Sequence, residues 1–158
     1  MAIDLLEGQH REMERLFERI RTTERGGARV RLIGQLAELI TLHSALEERY
    51  FYPVLRVEGM THLVERSFAE HGEVKRLVSD LMEMKQRDPR LDELLARIEG
   101  LVKKHVAEEE GELFTRAREV ASESVLAGAD GEMRRAMGDL QEKELLEIAD
   151  EAQGAVPM

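Results

Sequence analysis

The sequence predicts an all-α protein, an up-down-up-down four-helix bundle with an additional C-terminal helix. Three observations lead there. Proline occurs only three times in 158 residues, tryptophan is absent, and Glu, Arg, Leu, Ala and Met are abundant, which is the composition of helix formers. Apolar residues recur at three- and four-residue spacing along four long segments. Short stretches carrying Gly, Asp or Pro separate those segments, and short connections between long helices favour antiparallel neighbours. With 42% hydrophobic and 35% charged residues, the chain suffices for one domain with a real core.

The first helix is expected from about Asp4 to Glu24. Asp4, with Glu7 three residues on, reads as a capping box. Leu6, Met13, Phe17 and Ile20 make its inward stripe, and His10 lies inside that stripe. Arg25-Gly26-Gly27 is a turn. The second helix, about Ala28 to Tyr52, directs Leu32, Leu36, Leu39, Ile40, His43, Glu47 and Tyr50 or Phe51 inward, and Pro53 ends or bends it. The third, about Thr61 to Lys85, carries Val64, Phe68, Val74, Val78 and Leu81, with His71 among them. Asp88-Pro89 looks like an N-cap followed by a first-turn proline. The fourth helix then runs to about Val120, with Leu91, Leu94, Leu95, Ile98, Leu101, Val102, His105, Glu109 and Leu113 facing inward. Gly128-Ala129-Asp130-Gly131 reads as a break. A shorter fifth helix follows from about Glu132 to Glu151, packing Met133, Met137, Leu140, Leu145 and Ile148, and Gln153 to Met158 are expected to fray. The domain division is therefore residues 1–121 for the bundle and 122–158 for a helical extension packing on it.

Composition excludes several functions. A formal charge of −10 and a pI near 5.1 disfavour nucleic-acid and anionic-membrane binding, which reward a basic face. The absence of cysteine excludes disulfides, iron–sulfur clusters, thiolate zinc sites and cysteine catalysis. The N-terminal stretch acquires charge too early for a signal peptide, and no apolar run reaches the length of a membrane span. A cytoplasmic protein is the expectation.

The chemistry lies in two strings. In LHSALEERYFYP, His43 and Glu47 stand one helical turn apart, and in KHVAEEEGELFT, His105 and Glu109 repeat the spacing. A further histidine precedes each pair: His10 is 33 residues before His43, and His71 is 34 before His105. Four imidazoles and two carboxylates thus fall on core-facing stripes. Buried carboxylates need a compensating positive partner, and neutral imidazoles ligate metals. If both glutamates bridge, each of two metals receives two nitrogens and two oxygens, which leaves positions for an oxo or hydroxo bridge and a small ligand. Nitrogen and oxygen donors without sulfur suit iron or manganese ahead of zinc. His62 has no counterpart in the other half and reads as solvated. Glu48, Glu108 and Glu110 point off the His–Glu face as polar surface, with Glu70 a candidate hydrogen-bond partner for a ligand. Gly72 and Gly111 lie beside ligand positions, where they would permit close helix approach or a small-molecule path.

This pattern resembles the hemerythrin-like (HHE cation-binding) family, over about Asp4 to Arg118. The resemblance implies a non-haem di-iron centre inside the bundle. His10 and His43 would bind one iron, His71 and His105 the other, and Glu47 and Glu109 would bridge them. The oxygen-carrying hemerythrins place another histidine one turn after the third-helix histidine, where this chain has Lys75. Reversible oxygen carriage is thereby disfavoured against peroxide, oxygen or nitric oxide chemistry, or iron sensing. Glu14, one turn beyond His10, and Tyr50, three residues after Glu47, are candidate substitute ligands. The alternatives pair Glu14 with Lys75 across the bundle and bond the Tyr50 hydroxyl to Glu47.

Four functions compete: a di-iron protein that binds a diatomic ligand or peroxide, a catalase- or peroxidase-like di-iron oxidoreductase, an iron-storing ferritin-like carboxylate protein, and a metal-free helical interaction module. The ferritin-like reading wants Glu-x-x-His on two helices, and that string occurs only as Glu7 to His10. The metal-free module leaves six core-facing polar groups to satisfy one another. A homodimer or a separate protein partner stays open.

Overall fold

The computed structural model describes residues 1–154, with side chains through residue 140. The described chain is helical and forms five rods. The first is α1, Ala2–Thr22. The second joins α2, Gly27–Leu46, through a π-helical turn at Glu47–Phe51 to α3, Tyr52–Val57. The third is α4, Thr61–Glu83. The fourth joins α5, Leu91–Glu108, through a second π-helical turn at Glu109–Leu113 to α6, Phe114–Val120. The last is α7, Glu123–Gly154. Among the described residues, no helix is long and apolar enough to cross a membrane.

The apolar stripes build two core clusters at the two ends of the bundle. One gathers Met13, Phe17 and Ile20 of α1 with Leu32, Leu36 and Ile40 of α2, Val74, Val78 and Leu81 of α4, and Leu95, Ile98 and Val102 of α5. The other gathers Ile3, Leu6, Leu46, Phe51, Leu55, Met60, Val64, Leu113 and Phe114 with Ala129 and Met133 of α7. Along each of the four bundle rods the histidine falls between members of the two clusters. His10, for instance, lies between Leu6 and Met13, and His43 between Ile40 and Leu46. The bundle therefore holds a polar layer closed off by hydrocarbon on both sides.

Several expected details differ. Helix α1 begins at Ala2, because Asp4 takes the N-terminal ammonium at 2.8 Å, while Glu7 pairs with Arg118. Helix α5 begins at Leu91 rather than Pro89. The Asp88 carboxylate accepts the Arg90 N–H at 2.9 Å, and its carbonyl accepts the Leu91 N–H, which fixes a turn before the helix. Phe68 is about half exposed, at 49%. No break occurs at Gly128–Gly131, where α7 runs straight through. Ala129 and Met133 are buried against the second cluster, and that packing outweighs the roughly 1 kcal/mol that each helical glycine costs. The expected contacts of Leu145 and Ile148, and the end of the chain beyond Gly154, lie outside the described residues.

The turn between α3 and α4 depends on one glycine. Gly59 has φ +81°, its N–H bonds the Arg56 carbonyl, and the Met60 N–H bonds the Leu55 carbonyl. This is a Schellman close, with buried Met60 supplying the apolar contact. Gly59→Ala is expected to destabilise the protein by about 1–2 kcal/mol, because an L side chain is strained in the left-handed region. Gly100→Ala, in the exposed interior of α5 with open space around the added methyl, is expected to stabilise by roughly 0.5–1 kcal/mol. Urea unfolding of the two variants should shift in opposite directions.

Candidate metal centre

The four histidines and two glutamates meet in the polar layer, and all six are nearly or fully buried. They arrange as two imidazole pairs. His10 Nε2 lies 3.1 Å from His43 Nε2, and His71 Nε2 lies 3.1 Å from His105 Nε2. Each pair has its ring centroids 4.7 Å apart. The carboxylates stand between the pairs. Glu47 Oε1 is 2.8 Å from His43 Nε2 and 3.2 Å from His71 Nε2. Glu109 Oε1 is 3.1 Å from His10 Nε2, and its Oε2 is 3.3 Å from His105 Nε2. Neighbouring ligands of one metal, at bond lengths near 2.1 Å, stand about 3 Å apart. The donor atoms are therefore spaced as the edges of coordination polyhedra.

The outer nitrogens hold the rings in place. His43 Nδ1 donates to Gln9 Oε1 at 2.7 Å, His10 Nδ1 to Glu110 at 2.7 Å, and His105 Nδ1 to Glu70 at 2.9 Å. In the neutral imidazole each bond fixes the tautomer that turns Nε2 inward with its lone pair available to a cation. Glu70 is the partner expected from the sequence. Gln9 is not among the residues the spacing points to, although it precedes His10 as Glu70 precedes His71. Glu110 and Glu48 are not plain surface. Glu110 supports His10, while Glu48 lies 3.8 Å from His71 Nδ1 and takes Lys75 Nζ at 2.6 Å.

Two candidate ligands stay away from the centre. The Glu14 side chain is 49% exposed and pairs with Arg11 at 3.3 Å, and Lys75 is committed to Glu48, so the two do not meet across the bundle. Tyr50 is half-buried, packed against the second cluster. Tyr52 arrives instead. Its hydroxyl donates to Glu109 Oε2 at 2.9 Å and lies 3.2 Å from His71 Nε2. The cause is the π-turn. Three residues along an α-helix would bring Tyr50 over Glu47, but here the Tyr52 N–H bonds the Glu47 carbonyl, an i→i+5 link that sets residues five apart in line. Pro53 was the legible signal, because a proline inside a helix removes one i→i−4 bond and forces a local adjustment.

The second half repeats the device without the hydroxyl. The Phe114 N–H bonds the Glu109 carbonyl, and the Phe114 ring stacks on His10 as Tyr52 stacks on His71. Gly72 and Gly111 have open space where a Cβ would stand, so close helix approach does not explain them. His62 is exposed.

Without a cation, these groups compensate one another. Burial would push the Glu47 carboxyl up, but the His43 and His71 imidazoles overcome it and hold it well below its usual 4.5. Burial would pull His105 down, but Glu109 and Glu70 carry it well above 6.5. His71 and His10 are raised against the same burial, His71 by Glu47 and Glu48, His10 by Glu109 and Glu47. Burial, reinforced by Glu47 and Glu109, pushes the Tyr52 phenol well above 10. Compensation is incomplete. Both oxygens of Glu47 and Oε1 of Glu109 are buried with no hydrogen bond, although imidazole nitrogens lie close, and such orphaned atoms are costly. Cations among the six groups would satisfy them, and Glu47, His71, His105 and Glu109, together with His10, His43 and Glu109, form two clusters able to hold a metal ion.

No curated protein matches the chain significantly. The structure is similar to a crystal structure of a hemerythrin HHE cation binding domain-containing protein from Mycobacterium kansasii. The TM-score is 0.80 at 22% identity, covering 94% of this chain and 91% of that one. That likeness is one of fold. Residues 1–117 match the family described as hemerythrin HHE cation binding domain, and that span contains every group of the centre. The protein therefore belongs to the hemerythrin HHE cation binding domain family.

Proposed function

We propose that this is a non-haem di-iron protein that binds or reacts with dioxygen, peroxide or nitric oxide in oxidative or nitrosative stress. One observation carries the reading: two carboxylates stand between two buried imidazole pairs, and three of their four oxygens lack hydrogen bonds. His10 and His43 would hold one iron, His71 and His105 the other, and Glu47 and Glu109 would span both. Tyr52 stands at ligand spacing on the His71 side. Iron rather than zinc suits imidazole, carboxylate and phenol donors, and it supplies redox capacity with open positions for a small ligand. The chain does the rest. Gln9, Glu110 and Glu70 aim the imidazoles, and the two apolar clusters keep bulk water out.

Lys75 favours a second reading, peroxide turnover in the manner of a catalase or peroxidase. The position that carries another histidine in oxygen-carrying hemerythrins is here tied to Glu48 at the surface. Steady consumption of peroxide supports the enzyme, and a stable nitric oxide or oxygen adduct without turnover supports the binding protein.

Mass spectrometry of freshly purified protein is expected to find about two irons per chain, and Glu47→Ala or Glu109→Ala about one or fewer, because each removes a bridge. One zinc, or no metal after anaerobic iron loading, would sink the di-iron reading.

Ferric protein is expected to show a visible phenolate-to-iron absorption band that Tyr52→Phe removes at unchanged iron content, while Tyr50→Phe keeps it. A bound cation reverses the upward pressure on the phenol. A band surviving in Tyr52→Phe removes that residue from the ligand set.

The pH dependence should differ between metal-free and loaded protein. The raised imidazoles of His10, His71 and His105 stabilise the metal-free fold fully below their ordinary 6.5, and that stability fades as pH rises through the raised values. The lowered Glu47 stabilises it above 4.5, and that contribution is lost as pH falls through the lowered value. Thermal melts of metal-free protein are therefore expected to peak between about pH 4.5 and 6.5. Iron loading should move the maximum upward, because ligating imidazoles must be neutral. Identical pH optima in both forms would contradict the assignment.

A further inference from the structure

Every group of the centre is buried, so a small ligand must pass through protein to reach it. Helices α1 and α5 face each other across a wider seam than α1 and α2 or α4 and α5. Long side chains span it, Arg11 to Glu110 at one end and Arg21 to Glu99 at the other. Between these ion pairs lies a cavity of about 500 Å³, floored by Phe17, Val102 and Val106 and lined at its inner end by His10.

We propose that this cavity is the entrance through which a small uncharged ligand reaches the His10–His43 half of the centre, with Glu110 as its gate. The inference rests on the di-iron reading. Glu110 and His10 both line the cavity, and Glu110 closes it against the outer edge of the ring, its Oε2 2.7 Å from His10 Nδ1 and 2.6 Å from Arg11. Its side chain is 27% exposed whereas His10 is fully buried, so one carboxylate separates solvent from the imidazole. Glu110 sits in the second π-turn beside Gly111, where no Cβ crowds the backbone. Arg11 is 46% exposed and offers Glu110 a partner on the outer side when it swings away from His10. The same half lacks the phenol. Phe114 occupies the place that Tyr52 takes opposite, and a phenyl ring cannot ligate, so an exogenous ligand meets the less filled half.

The rim sets the class of ligand. Glu14, Glu18, Glu99 and Glu110 outnumber Arg11, Arg21 and Lys103, in a chain of net charge −10. The field at the mouth disfavours anions and leaves dioxygen, nitric oxide and hydrogen peroxide unopposed.

Ala107, exposed at the mouth, permits a plug that disturbs neither core nor ligands. In iron-loaded Ala107→Trp, stopped-flow nitric oxide association is expected to slow at least about fivefold. Dissociation should slow equally, leaving affinity and iron content unchanged. Glu65→Trp, exposed on α4, should leave the rate alone. Glu110→Gln is expected to raise the association rate of azide relative to that of nitric oxide. Unchanged nitric oxide rates in iron-replete Ala107→Trp, or an unchanged azide-to-nitric oxide ratio in Glu110→Gln, overturn the entrance and leave the di-iron reading standing. A parent protein that takes up no iron overturns both.

Discussion

Two carboxylates buried in the middle of a hydrocarbon bundle are the constraint on which the rest of this structure depends. Glu47 and Glu109 are essentially without solvent contact, and an uncompensated charge there would cost several kcal/mol. Four imidazoles surround them, and three of those imidazoles are anchored from behind by Gln9, Glu110 and Glu70. The remaining ring, His71, leans on Tyr52. Polar support thus extends outward in shells until it reaches residues that water can solvate.

The two π-turns are the local device that makes this layer possible. Each starts at a buried glutamate of the centre and lets the residue five positions later stand in line with it. Such turns cost regular hydrogen bonding and collect at functional sites for that reason. Here they bring an aromatic ring from each half against a histidine of the other, Tyr52 on His71 and Phe114 on His10. The halves are alike in backbone and unlike in chemistry. One carries a phenol, the other a phenyl. Gln9 is neutral where Glu70 is charged, and Glu14 stands where the repeat places Lys75.

Helix α7 shows how packing overrides local propensity. Two glycines within four residues argue for a break, yet Ala129 and Met133 bury themselves against the second cluster and the helix continues. Exposed Phe68 is the converse, an apolar residue at helical spacing that the bundle leaves outside. Periodicity places a residue on a face of its helix, but it does not say where the buried arc ends.

By itself, the sequence determined the helical rods, their order, the inward stripes and the four histidines and two glutamates that share them. Those features are periodic and repeated, and a side chain's phase on an α-helix follows from its number. Tertiary structure decided the rest. Tyr52 replaced Tyr50 at the centre because a π-turn changes the phase, and phase counting presumes a uniform helix. The anchoring roles of Gln9 and Glu110 come from neighbouring helices, so no spacing within one segment encodes them. The capping of α1 and the start of α5 depend on the partners that nearby charged groups find in space, the terminal ammonium for Asp4, Arg118 for Glu7 and the Arg90 N–H for Asp88. Periodicity along one chain fixed the donors, and contact between segments fixed their geometry.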